Sequence, residues 1–354
     1  MKHAYFLSPS AVDVGLTTVS LGVGRALQRR GVSVGFYKPI TQERPDDDQP
    51  GRSARYAEVA LNQAPAEWIP YGEAHTYYQE GRVQELMERV IGLYHRATRD
   101  FDVVILEGLV THEAELASAH LNEAMARALG ADVILVDPFT DSDIDGLQKR
   151  LRGAGAAYGG LGNKRVVGCI LNKVVCPATG HDNHEWVECL ADLRQQIPLV
   201  RQEVLQLIGC VPCNPVLGQY RTLDVARLLD AEVLREGELA TRRVNSVHLL
   251  ARTVPNLLQS FKPNALLLTP ADRGDIIMAA TLASSQGTQL AGMVLTGEGD
   301  EMQPDPGIMK LCASTAEEGL PVLQANTNSY RVVSMVEKIT NEIPLDDHER
   351  LNHT

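Results

Sequence analysis

The chain has few cysteines, no long apolar run and fewer basic than acidic residues. Its six cysteines are dispersed over 354 residues, which is too sparse for a disulfide framework, so a reducing, cytoplasmic setting is predicted. No apolar run is long enough to cross a bilayer, and no membrane partner is expected. The formal net charge of −12 disfavours nucleic acid and anionic membranes, because both attract positive charge. A local basic site for a small anion is compatible with this balance.

Apolar runs alternate with amphipathic stretches over the first part of the chain. Continuous β-branched runs separated by helices predict a parallel sheet covered on both faces, with ligands at the carboxyl ends of its strands. The predicted strands are residues 4–7, 32–37, 103–106, 133–136, 166–171 and 205–211, and the predicted helices are residues 17–30, 83–97, 121–129, 143–151 and 184–195. Between residues 39 and 70 only a short helix at 53–62 is indicated. This stretch is interpreted as a long loop beside the ligand crevice or as a solvated surface excursion.

A second, smaller α/β unit is predicted to follow. Its predicted helices are residues 222–236, 273–285, 307–317 and 330–340, and its predicted strands are residues 244–250, 265–268, 290–295 and 321–324. The predicted domain boundaries are therefore 1–217 for the first unit, 218–342 for the second, and 343–354 for a polar segment expected to be a linker cut short. A unit of this size is normal for a domain.

The turn after the first strand has the spacing of a phosphate-binding loop but lacks its lysine. Such a loop requires a glycine, four residues, and then Gly-Lys-Ser/Thr between a strand and a helix. Ser10 occupies the position of the first glycine, Gly15 that of the second, Leu16 that of the lysine and Thr17 that of the hydroxyl residue. Thr18 follows in the same turn and belongs to the predicted site. The amino end of the helix would still attract an anion.

The leucine is expected to impair catalysis more than binding. A hydrogen bond to a charged group contributes about 1.5–3 kcal/mol, so the loss of the lysine should weaken binding by roughly ten- to a hundred-fold. The loss of one donor to the transition state corresponds to roughly two or three decades in rate. We therefore predict no catalytic residue here, with Thr17 and Glu107 as the candidate ligands of a magnesium ion.

Three further strand ends carry candidate site residues. Lys38 ends the second strand and is held extended by the proline that follows, so it could point into the crevice or lie on the surface. Glu107 and Gly108 follow the apolar third strand, where an acid would hold magnesium or would only line the crevice or cap a helix. Asn172, followed by Lys173, lies after the fifth strand, where several P-loop families place residues that read a base.

Two other clusters admit a functional and a structural interpretation. Cys210 and Cys213 have a metal-ligand or redox spacing, as do His181 and His184 near Cys176, but a structural zinc site needs four ligands. Cys210 lies in an apolar run, which favours a buried, inert thiol.

In the second unit, Asp272 could cap the helix that is predicted to begin at Arg273, with Thr296 and Gly297 as a turn. Alternatively, Arg273 could bind an anionic metabolite or a neighbouring subunit. These two interpretations of Asp272 and Arg273 stay open.

The first unit resembles the dethiobiotin-synthetase branch of P-loop proteins. The resemblance is carried by the Val-Gly-x-Thr loop at Val14–Thr17, the Tyr-Lys-Pro strand end at Lys38, the Glu-Gly pair at Glu107, the asparagine at Asn172, and the Gly-x-x-Pro strand exit at Gly209. It implies, as one alternative, an ATP-dependent synthetase that activates a carboxylate. In that family the loop lysine assists phosphate chemistry, and Leu16 replaces it here.

The whole chain resembles the long bacterial form of phosphate acetyltransferase. The loop with leucine in the lysine position, the Glu107-Gly-Leu-Val run and the Thr-Arg-Arg-Val run at Thr241 carry this resemblance. In the second unit, Asp272-Arg273 and Thr296-Gly297, with Glu298 in place of the final glycine, are similar to the signature of a DRTGG domain.

This resemblance implies that acetyl transfer between acetyl-CoA and phosphate belongs to a further carboxyl-terminal domain. The expected role of this chain is then regulatory or in assembly, as part of a homo-oligomer. Its expected ligand is a small anionic metabolite or a nucleotide such as ATP or NADH, with magnesium. A purely structural role in an oligomer interface is the third hypothesis.

Overall fold

The computed structural model describes two compact units, Met1–Asn214 and Pro215–His353. The described residues are 3–42, 51–110, 116–140, 143–175, 183–299, 303–315, 319–339 and 343–352.

The first unit is built of eight helices and eight strands in the part of the chain that the structure describes. The strands are β1 (His3–Pro9), β2 (Val34–Tyr37), β3 (Ile40–Thr41), β4 (Ile69–Pro70), β5 (Val103–Glu107), β6 (Asp132–Pro138), β7 (Val166–Val174) and β8 (Leu207–Pro212). The helices are α1 (Leu16–Gln28), α2 (Arg52–Leu61), α3 (Tyr71–Gln79), α4 (Val83–Ala97), α5 (Leu116–Ala128), α6 (Ile144–Ala156), α7 (Asn183–Gln196) and α8 (Pro198–Arg201).

Six of these strands form one parallel sheet in the order β2-β5-β1-β6-β7-β8. Alternate residues of each strand face opposite sides: Phe6 joins one apolar cluster with Leu106, while Leu7 joins the other with Ile105. Both faces are therefore covered, as predicted for an apolar parallel sheet. The strand order reverses at β1, which places the loop between β1 and α1 at the topological switch point, where such sheets bind ligands.

Where the structure describes it, the stretch between β2 and α3 packs onto the first unit rather than forming a solvated excursion. Ile40 and Ile69 are fully buried and pair their two short strands in parallel. The side chain of Gln63 accepts a hydrogen bond from the Phe36 nitrogen at 2.7 Å and donates one to the Phe36 oxygen at 2.8 Å. Gln63 thus satisfies the backbone of the edge strand β2. Residues 43–50 lie outside the described residues.

The second unit contains a five-stranded sheet in the order β10-β11-β12-β13-β9, with β9 antiparallel to β13 and the rest parallel. Its strands are β9 (Glu232–Arg235), β10 (Ser246–Leu249), β11 (Ala265–Pro270), β12 (Gly292–Thr296) and β13 (Val322–Ala325). Its helices are α9 (Thr222–Leu228), α10 (Gly274–Ser285), α11 (Pro306–Thr315), α12 (Ser329–Val336) and α13 (His348–Asn352).

The helix predicted over residues 222–236 is wrong in its second half. Asp230 has a φ of 46°, in the left-handed region, which an α-helix does not tolerate. The chain therefore leaves the helix after Leu228 and forms β9 beside β13. Pairing with a distant strand decides this segment, and no local pattern announces it.

Residues 343–352 pack onto the second unit and are not the exposed linker that their polar composition predicts. Asp347 and Arg350 are buried. Asp347 accepts hydrogen bonds from Arg243 at 2.6 and 2.7 Å, and Asp346 accepts one from Arg221 at 3.0 Å. We call these five residues the C-terminal clasp. Arg350 also donates to the Leu217 carbonyl, near the start of the unit.

Burial disfavours ionisation of the two aspartates, but hydrogen bonds from arginine outweigh it. Those from Arg227 and Arg221 lower the pKa of Asp346 to about 2, and the one from Arg243 lowers the pKa of Asp347. Both carboxylates are therefore ionised in the folded protein at neutral pH.

None of the helices that the structure describes is long and apolar enough to span a membrane.

Candidate functional site

The loop between β1 and α1 has the backbone geometry of an anion cradle. Gly15 adopts a φ of 70° and immediately precedes the helix, and its oxygen accepts the hydrogen bond of the Val19 nitrogen at 3.0 Å. The amide groups of the first helical turn, which include those of Thr17 and Thr18, have no acceptors within a helix. The positive end of the helix dipole adds to them. This part of the predicted site could therefore hold an anion.

Leu16, which replaces the lysine, points away from such an anion. Its side chain is 4% exposed and joins the apolar cluster that includes Val19 and Ile134. The side chain at this position thus stabilises the first unit and carries no charge toward the cradle.

Residues at the end of β7 hydrogen-bond to the loop between β1 and α1. The Asn172 side chain donates from Nδ2 to the Val14 carbonyl at 2.7 Å, and its Oδ1 accepts from the Lys173 nitrogen at 2.8 Å. Lys173 donates from Nζ to the Asp13 carbonyl at 2.7 Å. Both ends of the Asn172 amide are therefore used within the protein, so in this arrangement Asn172 shapes the loop instead of reading a base.

The start of the loop is held by an ion pair that sequence analysis missed. Ser10 donates from Oγ to Asp137 Oδ2, and Arg150 of α6 donates to both oxygens of Asp137 at 2.9 Å. The Asp137 side chain is fully buried. The hydroxyl that replaces the first glycine therefore anchors the loop to the end of β6.

Four side chains meet at the carboxyl end of β5. The Oε1 atom of Glu107 accepts from Lys38 Nζ at 2.6 Å, from Thr17 Oγ1 at 3.0 Å and from Ser53 Oγ at 3.0 Å. Thr17 Oγ1 and Ser53 Oγ are 3.3 Å apart. The Oε2 atom of Glu107 is buried and has no hydrogen-bond partner among the described residues. We call Thr17, Lys38, Ser53 and Glu107 the Glu107 cluster.

The structure thus brings together three residues that the sequence predicts and one that it does not. Thr17, Lys38 and Glu107 come from strand or helix ends, where parallel sheets collect their ligand-binding groups. Ser53 comes from the first turn of α2, in the weakly patterned stretch between residues 39 and 70. The sequence predicts a helix at 53–62 but no site residue in it; α2 begins at Arg52, after Gly51 with a φ of 79°.

Gly108 serves packing. Its nitrogen donates to the Leu7 carbonyl at 3.0 Å, and a Cβ there would stand 3.0 Å from the same oxygen. Beyond it, the buried Asn122 side chain pairs with the backbone of Leu109, and Gln42 pairs with that of Val110. These amides hold the exit of β5 in place.

Asp272 and Arg273 lie in the second unit. Of the two interpretations left open, capping by Asp272 does not fit the structure: α10 begins at Gly274, and Arg273 takes the cap position without a side-chain cap bond. Arg273 pairs with Asp275 at 2.9 Å and donates to the Arg252 carbonyl at 3.0 Å. The guanidinium is thus engaged by Asp275 of the helix and by the Arg252 carbonyl.

The Cys210–Cys213 motif belongs to no group of metal ligands in the described part of the chain. No three histidine, cysteine or acidic side chains there are grouped as metal ligands would be. Burial raises the pKa of Cys210 to about 11, which disfavours its thiolate, while Cys213 is exposed. Cys176 and His181 lie outside the described residues.

The fold and the loop together define a P-loop-type α/β protein with a second α/β domain. Residues 3–221 match the family model of the AAA domain, and residues 224–339 match that of the DRTGG domain. The chain therefore belongs to the AAA domain family and carries the DRTGG domain that its sequence motifs predict.

The curated relatives are phosphate acetyltransferases. The protein of Pseudomonas aeruginosa is 40% identical over 349 residues, which cover 98% of this chain and 49% of the relative. The protein of Escherichia coli is 34% identical over 361 residues, which cover 99% and 50%. The chain thus spans about half the length of the curated relatives it matches. The predicted resemblance to phosphate acetyltransferase is confirmed.

Among solved structures, the cobyrinic acid a,c-diamide synthase of Mycobacterium smegmatis is similar over 56% of this chain and 83% of its own, with 16% identity and a TM-score of 0.33. The CBS and DRTGG domains of a Clostridium perfringens pyrophosphatase are similar over 36% and 56%, with 13% identity and a TM-score of 0.26. Likenesses this slight carry no functional argument.

Proposed function

We propose that this chain is a regulatory and assembly module of a cytoplasmic phosphate acetyltransferase. Its P-loop site would bind a nucleotide-like or other anionic metabolite without efficient hydrolysis. The parent reaction converts acetyl-CoA and phosphate to acetyl phosphate and CoA, and it would require a catalytic domain beyond these residues. Two findings support this proposal: the relatives are phosphate acetyltransferases, and each is about twice as long as the part that matches this chain.

One observation carries the binding role. The cradle at Gly15 and Thr17 is intact, and the residue in the lysine position is a buried leucine. The shape that attracts an anion is therefore present, while the mobile cation that acts on the β- and γ-phosphates is not. Lys38 is the cation of the Glu107 cluster, and it donates to the same carboxylate oxygen as Thr17. Occupancy without turnover follows from this combination.

The direct test is titration calorimetry of the 354-residue chain with ATP, NADH and inorganic phosphates, together with a phosphate-release assay. We expect binding by at least one of them and no release of phosphate. Silence across the panel would remove the sensing role and leave the structural one. Measurements of mass with and without each ligand would test whether the chain forms a homo-oligomer.

A carboxylate-activating synthetase is the second candidate. Thr17 and Glu107 are the oxygen donors that magnesium takes in a nucleotide site, and their 3.0 Å contact is compatible with a shared ion. Magnesium would then neutralise charge on the transferred phosphate. Brisk ATP hydrolysis by the natural sequence would favour this candidate over the regulatory one.

Acetyl transfer gives a separate test. The chain alone is expected to show no exchange of phosphate with acetyl-CoA, and fusion to the remaining part of a relative should restore it. Exchange by the chain alone would contradict the proposed role.

A further inference from the structure

We infer that the P-loop site binds its ligand as a free anion, without a divalent cation. This inference rests on the proposed binding function and goes beyond it, because it specifies the charge state of the ligand. It also departs from the magnesium ion that the sequence predicts at Thr17 and Glu107.

The charges of the Glu107 cluster carry the first step. Magnesium in nucleotide sites is held by carboxylates together with the phosphates of the ligand. Glu107 is the carboxylate that touches Thr17, and its one charge is already matched by Lys38 at 2.6 Å. The two side chains are 1% and 10% exposed, so water screens them little. A metal ion at this carboxylate would have to share it with an ammonium group.

The second step is that two helices point their positive ends at the cluster. Thr17 is the second residue of α1 and Ser53 is the second residue of α2. Their hydroxyl oxygens are 3.3 Å apart, so the first turns of both helices meet. The amino end of a helix carries partial positive charge, which favours anions and disfavours cations. With a neutral Lys38–Glu107 pair between them, the local charge favours an anion over Mg²⁺.

Judged by its atom types alone, the cluster could bind a metal ion, because Glu107 Oε2 is buried without a partner among the described residues. The same atom, however, is an acceptor suited to a hydroxyl or amide hydrogen of a ligand. The site then offers backbone amides and Lys38 to an anionic group, and one carboxylate oxygen to a neighbouring donor. A protonated phosphate or a phosphate ester with a nearby hydroxyl has both features.

The test is calorimetric titration of the chain with ATP, pyrophosphate and inorganic phosphate, each in EDTA and in excess MgCl₂. We expect binding in EDTA, with an affinity that magnesium leaves within about threefold or weakens, because the ion neutralises the ligand's charge. Binding that appears only with magnesium, or tightens about tenfold or more with it, would overturn this inference and leave the proposed function standing. Silence in both buffers would overturn both.

A charge variant sharpens the result. Lys38→Met removes the ammonium and leaves the carboxylate unmatched, so magnesium should now tighten binding by about tenfold. Lys164→Met removes the same charge from an exposed residue before β7, and its titrations should match the natural chain. A Lys38→Met protein as indifferent to magnesium as the natural one would contradict the inference.

Lys38→Arg covers the case in which Lys38→Met fails to fold. It keeps the positive charge beside Glu107 and should bind equally in both buffers. A magnesium requirement in this variant would contradict the inference as well.

Discussion

Asn172 Nδ2 lies 2.5 Å from the point at which a Cβ atom on Gly15 would stand. The same nitrogen donates to the Val14 carbonyl at 2.7 Å, so the brace beneath the loop and the absence of a side chain at Gly15 depend on each other. Gly15 also has a φ of 70°, which L-residues with a Cβ rarely adopt. This glycine is therefore required by two independent constraints.

Gly15→Ala should consequently destabilise the first unit and abolish binding at the loop. Strain at a left-handed residue amounts to about 1–3 kcal/mol, and displacement of Asn172 adds to it. Urea unfolding and titration with the ligand found for the natural chain measure the two effects. Gly22→Ala in the same helix is the matched control, since a Cβ there meets nothing within 4 Å. It should stabilise by about 0.5–1 kcal/mol, and equal behaviour of both variants would contradict this explanation.

The Lys38–Glu107 pair should show strong thermodynamic coupling. Removal of one partner of a buried ion pair destabilises by about 3–5 kcal/mol, because the other charge is left unmatched. Lys38→Met and Glu107→Gln should each approach this range, and the double variant should be less destabilised than the sum of the two. Denaturant unfolding measures the cycle. Arg96→Gln is the control: it breaks the exposed pair with Glu67 and should change stability little. Additive effects of Lys38→Met and Glu107→Gln would refute the coupling.

Leu16→Lys should lower the stability of the first unit and raise its affinity for phosphate groups. The leucine is 4% exposed, and loss of its burial removes about 1.5–3 kcal/mol. If the new ammonium reaches the loop, it should strengthen ATP binding about ten- to a hundred-fold and produce measurable hydrolysis. Thermal unfolding, titration and phosphate release measure the three effects. Leu16→Met keeps an apolar side chain and should change neither binding nor hydrolysis, so equal ATP affinity in both variants would contradict the interpretation of a missing charge.

In the C-terminal clasp, neighbouring aspartates should differ sharply. Asp347→Asn removes the buried charge that Arg243 contacts at 2.6 Å, while Arg243 keeps its contact with Glu349. The loss of these charged hydrogen bonds should destabilise the second unit by about 1.5–3 kcal/mol. Asp346 has a side chain that is 46% exposed, so Asp346→Asn should have the smaller effect. Hydrogen exchange of residues 343–352 should quicken in Asp347→Asn. Equal exchange in the two variants would argue against a buried clasp.

The same aspartates set the response of the clasp to acid. Folding lowers the pKa of both aspartates below the ordinary value, and that of Asp346 falls to about 2. The ionised carboxylates therefore stabilise the fold above about pH 4. This contribution is lost as the pH falls from about 4 toward 2. Exchange of residues 343–352 should accelerate over that window, and the double variant Asp346→Asn, Asp347→Asn should lack most of the acceleration.

Thiol reactivity should separate the two cysteines of the Cys210–Cys213 motif. Burial raises the pKa of Cys210 to about 11, so little of it is thiolate at pH 8, and the thiolate is the reactive form. Cys213 is exposed and should be alkylated first by iodoacetamide, as mass mapping would show. Cys213→Ser should remove the fast site. Equal rates at both positions, or a disulfide between them, would support the redox interpretation instead.

The sequence by itself determined the sheet of the first unit and the position of its ligand edge. Apolar runs such as Val103–Glu107, separated by periodic helices such as Val83–Ala97, specify strands and helices because burial of these faces dominates local choice. The loop spacing at Gly15 and Thr17 located the cradle, since a strand, a glycine turn and a helix start are local features. Residues of strand ends, such as Lys38 and Glu107, were therefore predictable as neighbours.

Only the tertiary structure decided what those side chains do. In the folded protein Ser53 donates to Glu107, and Asn172 hydrogen-bonds to the loop. A segment with a helical pattern forms β9, and the polar residues Asp347 and Arg350 are buried. Each of these outcomes depends on a partner distant in the chain, such as β13 for β9 or Arg243 for Asp347. A local sequence pattern reflects interactions between residues that are close in the chain. It carries no information on which distant charge will pair with a side chain or which distant strand will pair with a segment.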